Sequence, residues 1–536
     1  MFDPKQQEYN LWIGKVPPSR QETHYGNRLV RCFADRPKNS FDLLQNAVAQ
    51  NPDGEAVVCG RERMTYREMD DAVALCATAL RERGVGRGDR VAMQLRNAVV
   101  FPVLLFAILR IGAIAVPINA REQAPGVNYI TAQSGTRLLI CEADLERRAT
   151  EPIGAASNPE VVAIDSAKPN AYRLSLLRAK SADAPPAQVA EEDTAIILYT
   201  SGTTGRPKGA MLTHLSICHS ALHYESCMGL SSTDRAVAAV PLSHVTGIVA
   251  LIMAVARAAA TLVVLPEFKP SSFLKLAQQE HMTYSLMVPA MYNLCLLDPQ
   301  FDGLSYPNWR IAAYGGAAMP PATIAAFAEK LPNVNLMNAY GATETTSPVT
   351  LMPPSQTTKR SSSVGRPVPC GDVLAMDDNG REVPAGAAGE LWLGGPMVVP
   401  GYWEDDDATA RSFVGGYWRS GDIGSIDADG YVYVLDRRKD MINRGGYKIY
   451  SIEIENVLMT LPGVIEAAVI AKSCPVLGER VHAFVVTNTQ IDPDDLRRRC
   501  AELVADYKIP ETFNFQNNPL PRNANGKILK RELTAA

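Results

Sequence analysis

Short apolar runs alternate with helix-like patterns along this chain as far as Gly389. One helix is clearly marked, because Thr65 and Glu68 form a capping-box pattern and the apolar periodicity that follows ends at Gly84. The apolar runs have the length of buried strands and lie at residues 91–95, 138–141, 161–164, 195–199, 236–240, 262–265, 285–288 and 311–314. Strands that alternate with helices in this way predict an α/β fold with mostly parallel sheets.

The pattern changes after Gly389, where short strands and turns indicate a β-rich subdomain. The charged stretch 436–440 that follows is our predicted domain boundary. The elements predicted around it are strands at 390–393 and 431–435, then helices at 451–461 and 492–504 with strands at 467–471 and 481–486. A chain of 536 residues is too long for one core. We therefore predict a large N-terminal domain of several subdomains over 1–436 and a small mobile α+β lid over 437–536.

Charge and cysteine content exclude several classes of protein. The formal net charge of −4 provides no basic surface for nucleic acid or an anionic membrane. The ten cysteines form no Cys-x-x-Cys pair, so a zinc ribbon is not expected and a cytoplasmic compartment fits best. The apolar stretches 98–118 and 247–265 each contain an arginine, Arg110 or Arg257. We expect both to be buried core, with no integral membrane association.

Residues 198–209 carry the strongest functional signal, Leu-Tyr-Thr-Ser-Gly-Thr-Thr-Gly-Arg-Pro-Lys-Gly, at the end of a predicted strand. The glycines let backbone N–H groups face an anion, and Lys208 adds a positive charge. The mononucleotide P-loop is disfavoured, since it needs four residues between its glycines and a hydroxyl residue where this chain has Gly209. A solvated turn is the plain alternative, but the Arg-Pro-Lys-Gly ending favours polyphosphate binding.

A second polar segment, Asn-Ala-Tyr-Gly-Ala-Thr-Glu-Thr at 338–345, follows the predicted strand 335–337. It places an aromatic ring, a glycine, hydroxyls and a carboxylate within one short turn. Such a ring can stack on a purine, and carboxylate oxygen is a ligand that Mg²⁺ prefers. Together with residues 198–209, this segment resembles the superfamily of adenylate-forming enzymes: acyl-CoA synthetases, peptide-synthetase adenylation domains and luciferases.

The resemblance extends from Phe41 to Arg531 through further segments in family order. They are Pro-Leu-Ser-His-Val-Thr-Gly at 241–247, Gly-Gly-Ala-Ala at 315–318, Tyr-Trp-Arg-Ser-Gly-Asp at 417–422, Asp-Arg-Arg-Lys-Asp at 436–440, Gly-Gly-Tyr-Lys at 445–448 and Asn-Gly-Lys at 525–527. Several of these segments are weak singly, and their joint occurrence is specific. The resemblance implies ATP and Mg²⁺ as cofactors, with coenzyme A as a substrate.

Roles at the nucleotide site follow from the resemblance. It implies adenine stacking by Tyr340, ribose contacts from Asp422 and Arg437, and Mg²⁺ ligation by Glu344 with Thr200. The residues implied to contact ATP are Thr200, Ser201, Gly202, Thr203, Thr204, Gly205, Lys208, Gly315, Gly316, Ala317, Asn338, Ala339, Tyr340, Gly341, Thr343, Asp422 and Arg437.

The implied catalytic residues are Lys527, Glu344, His244 and Thr200. Lys527 would neutralise charge that develops between the attacking carboxylate and the α-phosphate. His244 would form a wall of the acid pocket. Lys439 falls at the implied domain hinge, and Gly446 in the loop implied to line the pantetheine tunnel. Ser451 stands where many members have proline, and we expect it to loosen that loop slightly.

The implied activity is that of an acyl-CoA synthetase. A carboxylate attacks the α-phosphate of ATP to give an acyl-adenylate, and the CoA thiol then displaces AMP. Small residues near His244 and Ala317 indicate room for a medium or long fatty acid or an aromatic acid. Two alternatives stay open: an enzyme that loads a carrier-protein thiol or another acceptor, and a catalytically silent nucleotide-binding protein. A homodimer is among the expected assemblies.

Overall fold

The computed structural model describes residues 11–150, 159–168, 184–200, 206–487, 489, 491–522 and 528–533. Across these ranges the strands form five sheets, and the two largest make up most of the N-terminal part. The α-helices lie at Asp42–Gln50, Tyr66–Glu82, Val100–Arg110, Ala124–Ser134, Glu146–Thr150, His214–Met228, Ala254–Arg257, Pro270–Gln279, Pro289–Leu297, Pro321–Lys330, Asp406–Ser412, Ser451–Thr460 and Pro493–Ala501.

The first large sheet has six strands, and five of them are parallel. Its strands, in spatial order, are Lys208–Thr213, Thr194–Thr200, Ile114–Pro117, Arg90–Gln94, Thr136–Glu142 and Glu160–Ile164. The edge strand Lys208–Thr213 is antiparallel to its neighbour. The return strand therefore begins at the same end of the sheet where Thr200 ends its own strand.

The second large sheet has nine strands with a parallel centre. In spatial order they are Arg366–Pro367, Thr350–Leu351, Asn335–Tyr340, Ile311–Tyr314, Tyr284–Met287, Arg235–Ala238, Thr261–Val264, Glu55–Cys59 and Glu62–Thr65. The six strands from Asn335–Tyr340 to Glu55–Cys59 are parallel, so the α/β prediction is confirmed. One boundary was wrong: Asn338, Ala339 and Tyr340 belong to the strand, because the strand goes on to pair with the antiparallel Thr350–Leu351.

Two predictions about helices are confirmed. Thr65 caps the helix Tyr66–Glu82 with a complete capping box, and Gly84 follows in a left-handed conformation with φ +77°. The apolar stretch near Arg110 is the buried helix Val100–Arg110, which leads into a strand of the six-stranded sheet. Among the described residues, every helix is too short or too polar to span a bilayer.

The C-terminal third contains two smaller sheets. The β-rich part is antiparallel and comprises Asp372–Met376, Gly389–Gly394, Phe413–Val414, Tyr417–Ile426 and Val432–Arg437. The last sheet comprises Ile442–Arg444, Tyr447–Ile449, Val464–Cys474, Gly478–Thr487 and Thr512–Gln516. The helices Ser451–Thr460 and Pro493–Ala501 share one hydrophobic core with it. This is the expected α+β composition. Asp422 lies inside the long strand Tyr417–Ile426.

Most of the cysteines lie in the core. All ten thiols are free, and eight of them are buried. A two-stranded hairpin, Ser19–His24 and Arg28–Phe33, precedes the first helix of the large domain. We call it the N-terminal hairpin.

Candidate active site

Thr200 and Lys208 face each other across the hairpin that closes the six-stranded sheet. Thr200 is the last residue of its strand and pairs with Lys208, the first residue of the return strand. The predicted phosphate loop between them, Ser201, Gly202, Thr203, Thr204 and Gly205, lies outside the described residues. On its C-terminal side, the Tyr129 hydroxyl donates to the carbonyl of Pro207 at 3.0 Å. The described ends of the loop are thus held by strand pairing and by a side chain of a neighbouring helix.

Glu344 lies in the 3₁₀ turn Thr343–Thr345, which follows the strand Asn335–Tyr340 after Gly341 and Ala342. Its side chain is buried, and burial raises the pKa of this carboxyl. Oε1 of Glu344 accepts a hydrogen bond from the Thr200 hydroxyl at 3.4 Å. The two residues assigned to Mg²⁺ by the resemblance therefore meet, although Thr200 ends a strand of the six-stranded sheet and Glu344 follows a strand of the nine-stranded sheet. A carboxylate and a hydroxyl form an oxygen donor set that suits a hard divalent cation.

Tyr402 joins the phosphate side of the site to Glu344, and the sequence analysis missed it. Its hydroxyl donates to Oε1 of Glu344 at 2.9 Å, and Nζ of Lys208 lies 4.9 Å from the centre of its ring. Nearby, the backbone N–H of Val399 donates to the carbonyl of Glu344 at 3.0 Å. We call residues 395–402 the bridging segment. Its Pro-Gly-Tyr ending at 400–402 was the available signal, but a single tyrosine after a turn carries little information alone.

A second cluster joins Tyr340, Asp422 and Arg437. The Tyr340 hydroxyl donates to Oδ2 of Asp422 at 2.7 Å, while Nε of Arg437 lies 3.1 Å from Oδ1. Asp422 and Arg437 are paired residues of adjacent antiparallel strands, so the sheet register brings them together. Burial and the neighbouring carboxylate raise the pKa of Tyr340 well above its usual value. The residues assigned to adenine and ribose by the resemblance are thus in direct contact with one another.

Gly315 and Gly316 directly follow the parallel strand Ile311–Tyr314, which lies beside the strand that carries Tyr340. A Cβ atom on Gly315 would lie 2.4 Å from the carbonyl oxygen of Ala339, so this position requires glycine. Gly316 has φ +78° and, with Ala317, is exposed to solvent. Exposed backbone at the carboxyl end of parallel strands is where α/β folds commonly bind ligands.

His244 lies in the loop that leads into the π-helix Thr246–Met253. Its exposure is intermediate, and the surrounding protein lowers the pKa of its imidazole to about 4. The ring is therefore neutral near pH 7. A Cβ on Gly247 would lie 2.4 Å from the Pro241 carbonyl oxygen, so this glycine lets the helix pack closely on the loop. Single π-helical turns inside helices are frequent at functional sites.

Family membership follows from the sequence as a whole. The model of the AMP-binding enzyme family matches residues 44–403, and that of the AMP-binding enzyme C-terminal domain matches residues 453–527. The chain belongs to the AMP-binding enzyme family. It is an adenylate-forming protein with the large and small parts that the resemblance implied.

Relatives of this AMP-binding protein include named CoA ligases. A long-chain-fatty-acid–CoA ligase of Mycobacterium tuberculosis is 35% identical over 88% of this chain and 92% of the relative. A feruloyl-CoA synthase of Amycolatopsis is 33% identical over 90% of this chain and 96% of the relative. Among solved structures, o-succinylbenzoate coenzyme A synthetase from Bacillus subtilis, in complex with ATP and a magnesium ion, gives a TM-score of 0.82 at 27% identity, over 92% of this chain and 98% of that one.

The C-terminal candidates of this AMP-binding protein lie on the surface or outside the described residues. Lys439 is exposed, just after the strand that ends with Arg437. Gly446 lies at an exposed turn with φ +93°, and its N–H donates to Oδ1 of Asn443 at 3.2 Å. Lys527 lies outside the described residues.

The expected effect of Ser451 was wrong. Ser451 is fully buried, and both its N–H and its hydroxyl donate to the carboxylate of Asp436. Nζ of Lys530 donates to the Ser451 hydroxyl at 2.6 Å. This serine therefore ties the start of its helix to the strand that carries Asp436, instead of loosening the loop.

Proposed function

We propose that this protein is an AMP-forming acyl-CoA synthetase that activates a fatty or aromatic acid as its acyl-adenylate and transfers the acyl group to coenzyme A. The observation that carries the proposal is the convergence of Thr200 and Glu344 from two sheets, beside Lys208. Tyr340 ends the strand that precedes Glu344, and it links this site to Asp422 and, through that carboxylate, to Arg437. The CoA ligase names of the relatives support the thiol acceptor.

In this proposal Glu344 and Thr200 hold Mg²⁺, and the nucleotide-binding residues hold ATP around it. The metal, when bound, would neutralise charge on the phosphate oxygens. The buried position of Glu344 suits this role, because its carboxylate is costly to ionise alone and is favoured by a divalent cation. Support for Mg²⁺ also comes from the structural relative described above, which was solved with ATP and a magnesium ion.

Catalysis of the first half-reaction is assigned to Lys527. A carboxylate oxygen forms a bond to the α-phosphorus, and the bond to the β-phosphate oxygen breaks to release pyrophosphate. Lys527 would stabilise the charge that develops, an effect worth about 3–4 kcal/mol for one lost donor. We assign residues 437–536 to a mobile lid. It would turn about Lys439 and exchange Lys527 for the loop at Gly446. There the thiol of coenzyme A would attack the acyl carbonyl, and the bond from the acyl carbon to the phosphate oxygen would break to release AMP.

The acid is assigned to the region between His244 and Gly315. Because His244 is neutral near pH 7, it offers a ring wall and no positive charge. A second carboxylate would gain no ion pair from this residue, so we propose a monocarboxylic acid. We also propose a cytoplasmic enzyme, on the ground of its free thiols, and a homodimer, which size-exclusion chromatography tests.

The decisive experiment is a panel of fatty and aromatic acids scored by CoA-dependent AMP release from the purified chain. We expect at least one acid to give AMP and its CoA thioester without any added protein. Folded Lys527→Ala should lose adenylation by about a hundredfold or more. A thioester formed only with a carrier protein would support the alternative acceptor. Absence of acid-dependent pyrophosphate exchange across the panel would contradict the proposal.

A further inference from the structure

The N-terminal hairpin lies before residue 44, outside both matched family regions. Its turn is strained: Tyr25 has φ +51°, a left-handed conformation that is rare for an aromatic residue, and Gly26 follows with φ +81°. Backbone strain of this kind persists only where the surrounding structure holds it, and it is common at functional sites. The contacts of the hairpin show what holds it.

The base of the hairpin is fixed by Arg36, whose side chain is only 3% exposed. Its guanidinium donates to both carboxylate oxygens of Glu22 at 3.0 and 2.6 Å, and to both oxygens of Glu191 at 2.9 Å. Glu191 lies three residues before the start of the strand Thr194–Thr200. Glu22 also lies close to His24 and Cys32, in an arrangement that could suggest a metal site. Both its oxygens are bonded to Arg36, however, so this cluster serves as an ion pair.

The tip of the hairpin reaches the far end of the strand that begins with Lys208. The Tyr25 hydroxyl forms a hydrogen bond of 2.8 Å with the hydroxyl of Thr213, the last residue of the strand that begins with Lys208. The guanidinium of Arg28 lies over the Tyr25 ring, 5.0 Å from its centre. The strained turn therefore keeps a phenol and a cation side by side.

Arg28 connects this tip to the bridging segment. Its Nη1 donates to the carbonyl of Val398 at 3.1 Å, with a longer contact of 3.5 Å to that of Val399. The N–H of Val399 donates to the Glu344 carbonyl, and Tyr402 of the same segment donates to the Glu344 carboxylate. The same peptide group therefore carries both contacts, because its carbonyl accepts from Arg28 and its N–H donates to Glu344.

We propose that Arg28 is a positioning residue for metal-bound ATP: it fixes the bridging segment, which in turn fixes Glu344 and Tyr402. The inference rests on the proposed function, since it assumes that Glu344 binds Mg²⁺. A metal ligand must be held within about 0.5 Å of its productive position. The bridging segment has no regular secondary structure over residues 395–400, so side-chain contacts of this kind must supply the rigidity.

The test measures binding of MgATP to the whole chain by isothermal titration calorimetry, without acid, and repeats it with ATP in EDTA. Arg28→Met keeps the aliphatic packing and removes the donor. We expect its dissociation constant for MgATP to rise about tenfold, which corresponds to the loss of one charged hydrogen bond. The dissociation constant for ATP in EDTA should change little. Arg28→Lys should recover part of the loss. Tyr25→Phe should weaken MgATP less, because it removes only the bond to Thr213.

Arg31→Met is the matched control, because Arg31 lies on the same strand and its side chain contacts Ser19 at the exposed side. It should bind MgATP like the wild type. The positioning role is wrong if the wild type binds MgATP and folded Arg28→Met binds it equally well. It is also wrong if Arg28→Met and Arg31→Met weaken binding equally. In both cases the proposed function stands. A wild type that binds no MgATP would overturn both. If Arg28→Met does not fold, Arg28→Lys and Tyr25→Phe decide the question: MgATP binding equal to that of the wild type in both variants would contradict the positioning role.

Discussion

Tyr340 donates its phenolic hydrogen bond to Oδ2 of Asp422 at 2.7 Å, so the residues assigned to adenine and to ribose are joined directly. Oδ1 of the same carboxylate lies 3.1 Å from Nε of Arg437. One carboxylate thus orients an aromatic ring from the nine-stranded sheet and a guanidinium from the antiparallel sheet. A nucleotide bound here would meet three side chains that already fix one another.

The first prediction concerns this hydroxyl. Tyr340→Phe keeps the ring for stacking but frees one oxygen of Asp422, so the carboxylate loses part of its orientation. We expect KM for ATP to rise about five- to tenfold, the equivalent of one hydrogen bond, with a smaller change in kcat. Steady-state kinetics at saturating acid measure this. Equal KM values for variant and wild type would show that Arg437 alone orients the carboxylate.

Gly315 gives a second prediction. Since a Cβ at this position would lie 2.4 Å from the Ala339 carbonyl oxygen, Gly315→Ala must push apart two hydrogen-bonded strands. We expect a loss of about 1–3 kcal/mol in the free energy of unfolding, together with weaker ATP binding. Chemical denaturation and nucleotide titration measure the two effects. Gly303→Ala is the control, because a Cβ there meets nothing within 4 Å. An unchanged Gly315→Ala protein would contradict the close approach of the strands.

The sequence predicted the fold better than the site, for a physical reason. Strands buried in a parallel sheet read as continuous apolar runs, and the capping box at Thr65 is a local pattern, so both are visible within a few residues. The contact between Arg28 and Val398 joins residues 370 positions apart. Tyr402 and Glu344 meet only because a segment without regular structure crosses the end of a sheet. No local pattern encodes such contacts.

Asp422 shows the same limit at smaller scale. A Gly-Asp pair is compatible with a turn as well as a strand, and Asp422 lies within a strand because its pairing with Arg437 continues the sheet. Local propensity is a weak guide where pairing with a distant strand decides the conformation. The hypothesis that Asp422 contacts the ribose did not depend on its secondary structure, since it required only a carboxylate at this position.

Buried histidines of the helix His214–Met228 give a third prediction, on pH. Nδ1 of His214 accepts a hydrogen bond from the Ser40 N–H at 3.1 Å, and Nε2 of His219 accepts one from the Phe33 N–H at 3.1 Å. Burial lowers their pKa values from 6.5 to about 4 and about 3. The unfolded chain therefore binds more protons below pH 6.5, so stability is full above this pH and falls as the pH drops towards the folded values.

For each of these two histidines the expected loss is about 1.4 kcal/mol per pH unit once the pH is below 6.5. Urea unfolding at pH 7, 6 and 5 measures the slope. His214→Asn should reduce the pH dependence of the free energy of unfolding by roughly the contribution of one histidine, whatever the effect of the substitution on stability at pH 7. A free energy of unfolding that stays constant between pH 7 and pH 5 would contradict the neutral, buried state of both rings.

Ser451 gives the last prediction, in which two physical rules disagree. It is the first residue of the helix Ser451–Thr460, a position where proline is usually well tolerated. Its N–H, however, donates to the carboxylate of Asp436, which is 1% exposed. Ser451→Pro would remove this donor and the hydroxyl together and leave a buried carboxylate with fewer partners. We expect a loss of about 2–4 kcal/mol in the free energy of unfolding.

Ser451→Ala separates the two donors, because it removes the hydroxyl bonds to Asp436 and Lys530 and keeps the N–H. Its cost should be smaller than that of proline. Burial raises the pKa of Asp436, and loss of a hydrogen-bond donor should raise this pKa further. The loss of stability in both variants should therefore be smaller at low pH, where the protonated carboxyl needs less stabilisation. Denaturation of both variants at pH 7 and pH 5 tests this order. If Ser451→Pro and Ser451→Ala have equal free energies of unfolding, the favourable helix geometry of proline compensates for the N–H donor that Asp436 loses.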